Sequence, residues 1–308
     1  MKRKRSSHRT IKAAVIVGLT VAALLLSSCG DGPQVRDTGE GPAPEDVKVA
    51  AEAGSLPEPT IPPAPAEAEN PPALTPPLTI VCAGDSITYG DGVKETRETE
   101  AWPFVLQRLF DEAGYTRKDN RITVINEGVC GKTLMSTADK PYVSTDEYRD
   151  GLDRAADVYL IMFGTNDAKT FNWDQETFER ELPVFLQSYI DAQTGAGRHP
   201  CLYVMIPPAV FPVNGNEKSY GIDDGLIADQ IAPLIVKTAE EINDLYAGSG
   251  RSADQDQAAP DPLTVIDLHT LTAGHPDWFA DGVHPNAEGN AQIAAFLYQT
   301  LGEVLPDP

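Results

Sequence analysis

Ser86, Asp281 and His284 are the residue types that make a hydroxyl nucleophilic, and their local settings suit that task. A serine attacks a carbonyl only when a base removes its proton. Imidazole does this best when a carboxylate fixes its tautomer and steadies the imidazolium. Asp281 and His284 are separated by two residues in Asp281-Gly282-Val283-His284-Pro285, so one tight turn can bring carboxylate and ring to the same side. The attacked carbonyl oxygen gains negative charge and needs donors already aimed at it. Gly131 lets the main chain approach closely, Asn166 offers two side-chain amide donors, and the Ser86 N–H is a third. The chemistry implied is acyl transfer through a serine, as in an ester hydrolase.

Other readings compete for some of these positions. Asp85 and Asp167 suit turns or caps held by local hydrogen bonds. Cys130, beside Gly131, raises a thiol nucleophile, but no base is tied to it in sequence. Gly131-Lys132-Thr133 ends like a phosphate-binding loop, yet that pattern needs glycine where Asn126 stands. His269 reads as structural, and His275 as a minor candidate for substrate contact. No cluster has metal-ligand spacing, and no metal or cofactor is expected.

Four segments in order, Gly84-Asp85-Ser86-Ile87-Thr88, Asn126-Glu127-Gly128-Val129-Cys130-Gly131, Gly164-Thr165-Asn166-Asp167 and Asp281-Gly282-Val283-His284-Pro285, resemble the four blocks of the GDSL or SGNH hydrolase family. The resemblance spans roughly residues 78 to 303. It implies that Ser86 is the nucleophile, that Gly131 and Asn166 belong to the oxyanion hole, that Asp281 and His284 complete a triad, and that the fold is flavodoxin-like.

The elements that must position these residues alternate between short apolar runs and longer helical stretches. That pattern predicts an α/β domain of three αβα layers around a mainly parallel five-stranded sheet. Strands are expected at Leu78–Ala83, Ile122–Asn126, Val158–Phe163, Leu202–Ile206 and Leu263–Asp267, and helices at Trp102–Ala113, Gln175–Ala192, Leu226–Tyr246 and Asn286–Leu301. Ser86, Gly131 and Asn166 then follow the first three strands, at the edge where open α/β sheets bind ligands.

Residues 1–28 combine six basic residues with an apolar run from Ala13 to Leu26, the pattern of an export signal too short to span a bilayer. Leu26-Ser27-Ser28-Cys29 resembles a bacterial lipobox, which implies lipidation of Cys29, a membrane-anchored protein and a location in the cell envelope outside the cytoplasm. An ordinary cleaved signal is the other reading. Residues 29–77 read as a tether: from Gly30 to Pro77 there are 12 prolines, nine acids, two bases and no aromatic residue, a composition that cannot bury a core. The catalytic domain is expected over 78–308. A net charge of −22 argues against nucleic acid as a partner. Cys82, Cys130 and Cys201 permit one bridge at most. Oligomeric state is not legible.

Specificity lives in the loops around the crevice. Trp173, soon after the Asn166 block, is a candidate for stacking on a sugar ring, or equally a helix anchor. Phe211, a second candidate for substrate contact, lies in a long loop, 207–216, with only three apolar residues that could grip an acyl tail. The expectation is removal of short acyl groups, acetyl foremost, from a carbohydrate. A lipase or lysophospholipase acting on longer chains and a non-catalytic carbohydrate-binding protein are the alternatives.

Overall fold

The computed structural model describes residues 74–213, 219–249 and 261–305. Five strands make one sheet: β1 (Leu78–Gly84), β2 (Ile122–Gly128), β3 (Val158–Met162), β4 (Leu202–Ile206) and β5 (Leu263–Asp267). Their order is β2-β1-β3-β4-β5, and every neighbouring pair is parallel. β3 and β4 are buried at every position, which is why they read as unbroken apolar runs rather than alternating ones.

Parallel neighbours need crossovers, and helices supply them on both faces. On one face lie α1 (Trp102–Glu112) and α5 (Ala287–Gly302); on the other lie α2 (Asp146–Arg154), α3 (Gln175–Gly195) and α4 (Ala232–Ser249). The pleat divides the strand residues between two cores. Ile80, Cys82, Leu160 and Met162 pack with Trp102, Leu106, Phe110 and Leu297. Val81, Ala83, Tyr159 and Ile161 pack with Phe178, Phe185, Leu186 and Tyr189. The result is the three-layer αβα arrangement expected.

Register sets the working edge. Gly84 aligns with Gly128 and with Met162, so β1, β2 and β3 end together and release their following loops side by side. The strand order reverses at β1 and β3, which opens a crevice at their carboxyl ends.

Several elements differ from expectation. β2 runs two residues further, to Gly128. α2 was not anticipated from its sequence: Asp146–Arg154 is mostly charged and fully buries only Gly151, while the Thr145 side chain caps it by accepting from the Tyr148 N–H at 3.1 Å. The helix expected over Leu226–Tyr246 is interrupted: a short turn, Asp224–Leu226, leads into a π-helical stretch, Ile227–Ile231, before α4 begins at Ala232. Packing also starts before β1, since buried Leu74 donates its N–H to Val304 O at 3.0 Å. Cys82, Cys130 and Cys201 form no disulfide. Burial pushes the thiols of Cys82 and Cys201 up, the latter to about 12. Among the described residues no helix is long and apolar enough to cross a membrane. The expected export signal, Cys29 and most of the tether lie outside the described residues.

Candidate active site

β1 ends at Gly84, and the chain turns at once into a single helical turn, Ser86–Tyr89. Asp85 caps it, its Oδ1 accepting from the Ile87 N–H at 2.9 Å. Ser86 is the first residue of the turn, so its own N–H has no acceptor within the helix. Its Oγ lies 2.9 Å from His284 Nε2, across 198 residues of sequence.

His284 arrives on the loop before α5. Gly282 has φ +82°, and a Cβ there would sit 2.4 Å from Phe211 O, so the tight turn needs glycine for both conformation and space. The turn folds Asp281 back on the histidine. Oδ1 accepts from the N–H groups of Val283 (3.0 Å) and His284 (2.8 Å), and Oδ2 lies 2.7 Å from His284 Nδ1. Asn286 caps α5 with its side chain, and Asn290 Nδ2 donates to Pro285 O at 2.7 Å, fixing the loop to the helix behind it.

The charges reinforce one another. Burial acts to raise the Asp281 carboxyl, but the hydrogen bond and charge of His284 outweigh it and hold the group well below the usual carboxylate range. Burial alone would lower His284, yet its bond to Asp281 and the charges of Asp281, Asp91 and Asp85 raise it above the ordinary value. Asp91 was not singled out from the sequence. Its Oδ2 is 4.0 Å from His284 Nε2, and its only sequence signal is its place five residues after Ser86.

Gly131 and Asn166 stand on the loops after β2 and β3. Gly131 has φ +75°, and the Lys132 N–H donates to Val129 O at 3.4 Å. This is a glycine at the third position of a tight turn, and the turn's own bond does not use the Gly131 N–H. Asn166 is buried, and its Nδ2 donates to Asp85 Oδ2 at 3.2 Å and to Lys132 O at 3.1 Å. One side chain therefore ties the serine loop to the Gly131 loop.

Asp167 does more than the turn-forming role expected of it. Fully buried, it accepts from the N–H groups of Leu134 (3.0 Å) and Met135 (2.9 Å), clamping the β3 loop to the chain beyond Gly131. Burial pushes both Asp85 and Asp167 up to about 6.

Of the two readings of Trp173, its contacts fit the helix anchor. Its Nε1 donates to Gln230 Oε1 at 2.9 Å, its ring centroid is 5.4 Å from that of Phe178, and it packs on the core as a helix anchor. The exposed aromatic of that loop is Phe171, at 69%. Phe211 packs 5.1 Å from Phe279, and its backbone pairs with Gly282, so it braces the Asp281 turn. His269 bonds to Asp224 Oδ1 at 3.1 Å, a structural role, and exposed His275 stacks on Trp278. Tyr220 was missed altogether: its hydroxyl donates to Asp281 Oδ2 at 2.8 Å.

This geometry lets His284 Nε2 take the proton of Ser86 Oγ while Asp281 holds the imidazole, beside N–H groups of Ser86, Gly131 and Asn166. Among known proteins, an acetylxylan esterase of Xylanibacter ruminicola is 26% identical over 230 residues, which are 71% of this chain and 42% of that relative. Two solved structures share the fold. The aryl esterase of M. smegmatis has a TM-score of 0.52 at 19% identity, covering 74% of this chain and 100% of the other. A carbohydrate acetylesterase from Sinorhizobium meliloti has a TM-score of 0.50 at 19% identity, covering 74% of this chain and 99% of the other. Residues 80–297 match the GDSL-like lipase/acylhydrolase family, a span that holds all four motif blocks, and the chain belongs to that family of ester hydrolases.

Proposed function

We propose that the protein is an extracytoplasmic serine esterase that removes short acyl groups, acetyl foremost, from an esterified carbohydrate. The observation that carries this reading is the continuous chain from Ser86 Oγ to His284 Nε2 at 2.9 Å and from His284 Nδ1 to Asp281 Oδ2 at 2.7 Å. With the Nδ1 proton directed at Asp281, the Nε2 lone pair faces the serine.

Ser86 Oγ attacks the ester carbonyl as its proton passes to Nε2. The oxyanion is met by the N–H groups of Ser86 and Gly131 and by the Asn166 amide, for which the substrate oxygen replaces Lys132 O as acceptor. Collapse expels the sugar alkoxide, which takes the proton from Nε2, and leaves acyl-Ser86. Water then attacks acyl-Ser86 as Nε2 takes its proton; collapse returns that proton to Ser86 Oγ and releases the carboxylic acid.

The short-acyl reading draws support from the names of the relatives and from the loop after β4. Val210 is buried, and Phe211 is committed to Phe279, so neither side chain is spare to line a channel for a long tail. Turnover of a p-nitrophenyl ester series tests it. A steep fall in kcat/KM beyond about four carbons is expected. A maximum at long chains would replace this reading with a lipase-like one, and absence of turnover would leave a binding protein. Export and anchoring through lipidated Cys29 belong to the same proposal and rest on the sequence of residues 1–29.

A further inference from the structure

We propose that Tyr220 is a positioning residue of this site: its hydroxyl closes the carboxylate of Asp281 and holds it in the orientation that grips the His284 ring. The inference rests on the reading of Ser86, His284 and Asp281 as a hydrolytic triad.

Asp281 Oδ2 has two partners, His284 Nδ1 at 2.7 Å and the Tyr220 hydroxyl at 2.8 Å. With Oδ1 holding the N–H groups of Val283 and His284, the carboxylate has four donors, and Tyr220 alone comes from outside its own turn. The Tyr220 ring meets the imidazole edge-on, with centroids 5.5 Å apart. A residue placed this way blocks rotation of the carboxylate away from the histidine and flanks the histidine itself.

The backbone indicates that the placement is imposed. Tyr220 has φ +57°, one of two non-glycine residues at positive φ among those described. Its neighbours hold it there. Ser219 Oγ donates to Phe211 O at 3.0 Å, the Thr170 N–H donates to Gly221 O at 3.2 Å, and the Asp223 N–H donates to Ala168 O at 3.0 Å. The same short segment is thus fastened to the loop behind Asn166 and to the loop that braces Gly282. Such conformations persist where the surroundings over-determine them, and they gather at functional sites.

Tyr220 is also 58% exposed, so its ring does little for the core. Its bond to Asp281 is the contact that explains its position. Partial burial, that bond and the charges of Asp281 and Asp91 push the phenol up to about 12, which keeps it a donor at every pH where a histidine base operates. A second donor on Oδ2 draws charge from the carboxylate and weakens its pull on the imidazole proton. The other titratable groups facing His284 are Asp91 and Asp85. Tyr220→Phe leaves both in place.

The test is kcat and KM on p-nitrophenyl acetate from pH 5 to 9 for wild type, Tyr220→Phe, Tyr220→Ala and each in an Asp281→Asn background, with thermal unfolding alongside. Both single variants should lower kcat by about 10-fold with KM for this small substrate little changed. They should also move the acid limb of the profile to higher pH by the same amount, because each lacks the hydroxyl, and should unfold as wild type does. In the Asp281→Asn background neither should have a further effect. An unmoved acid limb in Tyr220→Phe, a shift seen only in Tyr220→Ala, or equal losses with and without Asp281 would overturn the role. Full turnover in a Ser86→Ala control would instead bring down the triad reading itself.

Discussion

His284 can accept the Ser86 proton only while Nε2 is unprotonated, so the pH at which the ring loses its charge sets where activity begins. Burial favours the neutral ring, but Asp281, Asp91 and Asp85 together favour the cation, and the balance lies above the ordinary value of 6.5. Esterase activity should therefore rise with pH through a midpoint above 6.5, read from kcat/KM against pH; a flat profile between pH 5 and 8 would contradict the assignment. Ser86→Ala should abolish nearly all turnover while leaving thermal unfolding almost unchanged. Asn166→Ala should lower kcat by about 10² to 10³ through loss of a transition-state donor, with a smaller effect on KM. Since the same Asn166 amide also donates to Asp85 and to Lys132 O, Asn166→Ala should lower the melting temperature as well as kcat.

The loops that carry these side chains are only as accurate as the brackets between them. Asp167→Ala would leave the buried N–H groups of Leu134 and Met135 without their acceptor, at about 1 to 3 kcal/mol each, and would loosen the chain next to Gly131. Chemical denaturation should register the loss, and kcat should fall with it. Gly282→Ala should destabilise as strongly, because alanine at φ +82° meets Phe211 O in the tightest part of the Asp281 turn. The strands, and the meeting of the Ser86, Gly131, Asn166, Asp281 and His284 segments at one edge, were legible in the sequence because buried parallel strands are largely apolar runs and the candidate residues lie in compact blocks. α2 was not, because its nine residues bury a narrow side and show solvent a dense set of charges. Trp173 carried two readings in the sequence because contact with a ligand and contact with Phe178 demand the same residue type. Tyr220 and Asp91 were not selected at all. Tyr220 reaches Asp281 across 61 residues through a positive φ, which no local pattern encodes.

For the domain as a whole, stability and activity should run in opposite directions with pH. Asp85 and Asp167, with ordinary values of 3.8, are pushed up to about 6, so the folded state favours their protonated forms and is penalised as pH rises through that window. His284 and His269 are both raised, and the stability they contribute is complete below 6.5 and lost as pH climbs past their folded values. Asp281 and Asp224 are lowered, so their contribution is constant above 3.8 and does not reverse the trend. The melting temperature should accordingly be lower at pH 8 than at pH 5.5, while turnover is higher; calorimetry and rate measurements on one preparation check both. Under the anchoring proposal, Cys29→Ala should move the protein from the membrane fraction to the soluble one, and continued membrane attachment would point to another anchor. The sequence separation of 198 between the paired hydroxyl and imidazole carries a consequence for biosynthesis. Under the proposed roles, a growing polypeptide holds its nucleophile long before its base exists in the same molecule, so it stays chemically silent toward esters while it is being made. Reactivity switches on in one step, when the final loop and α5 close against the rest.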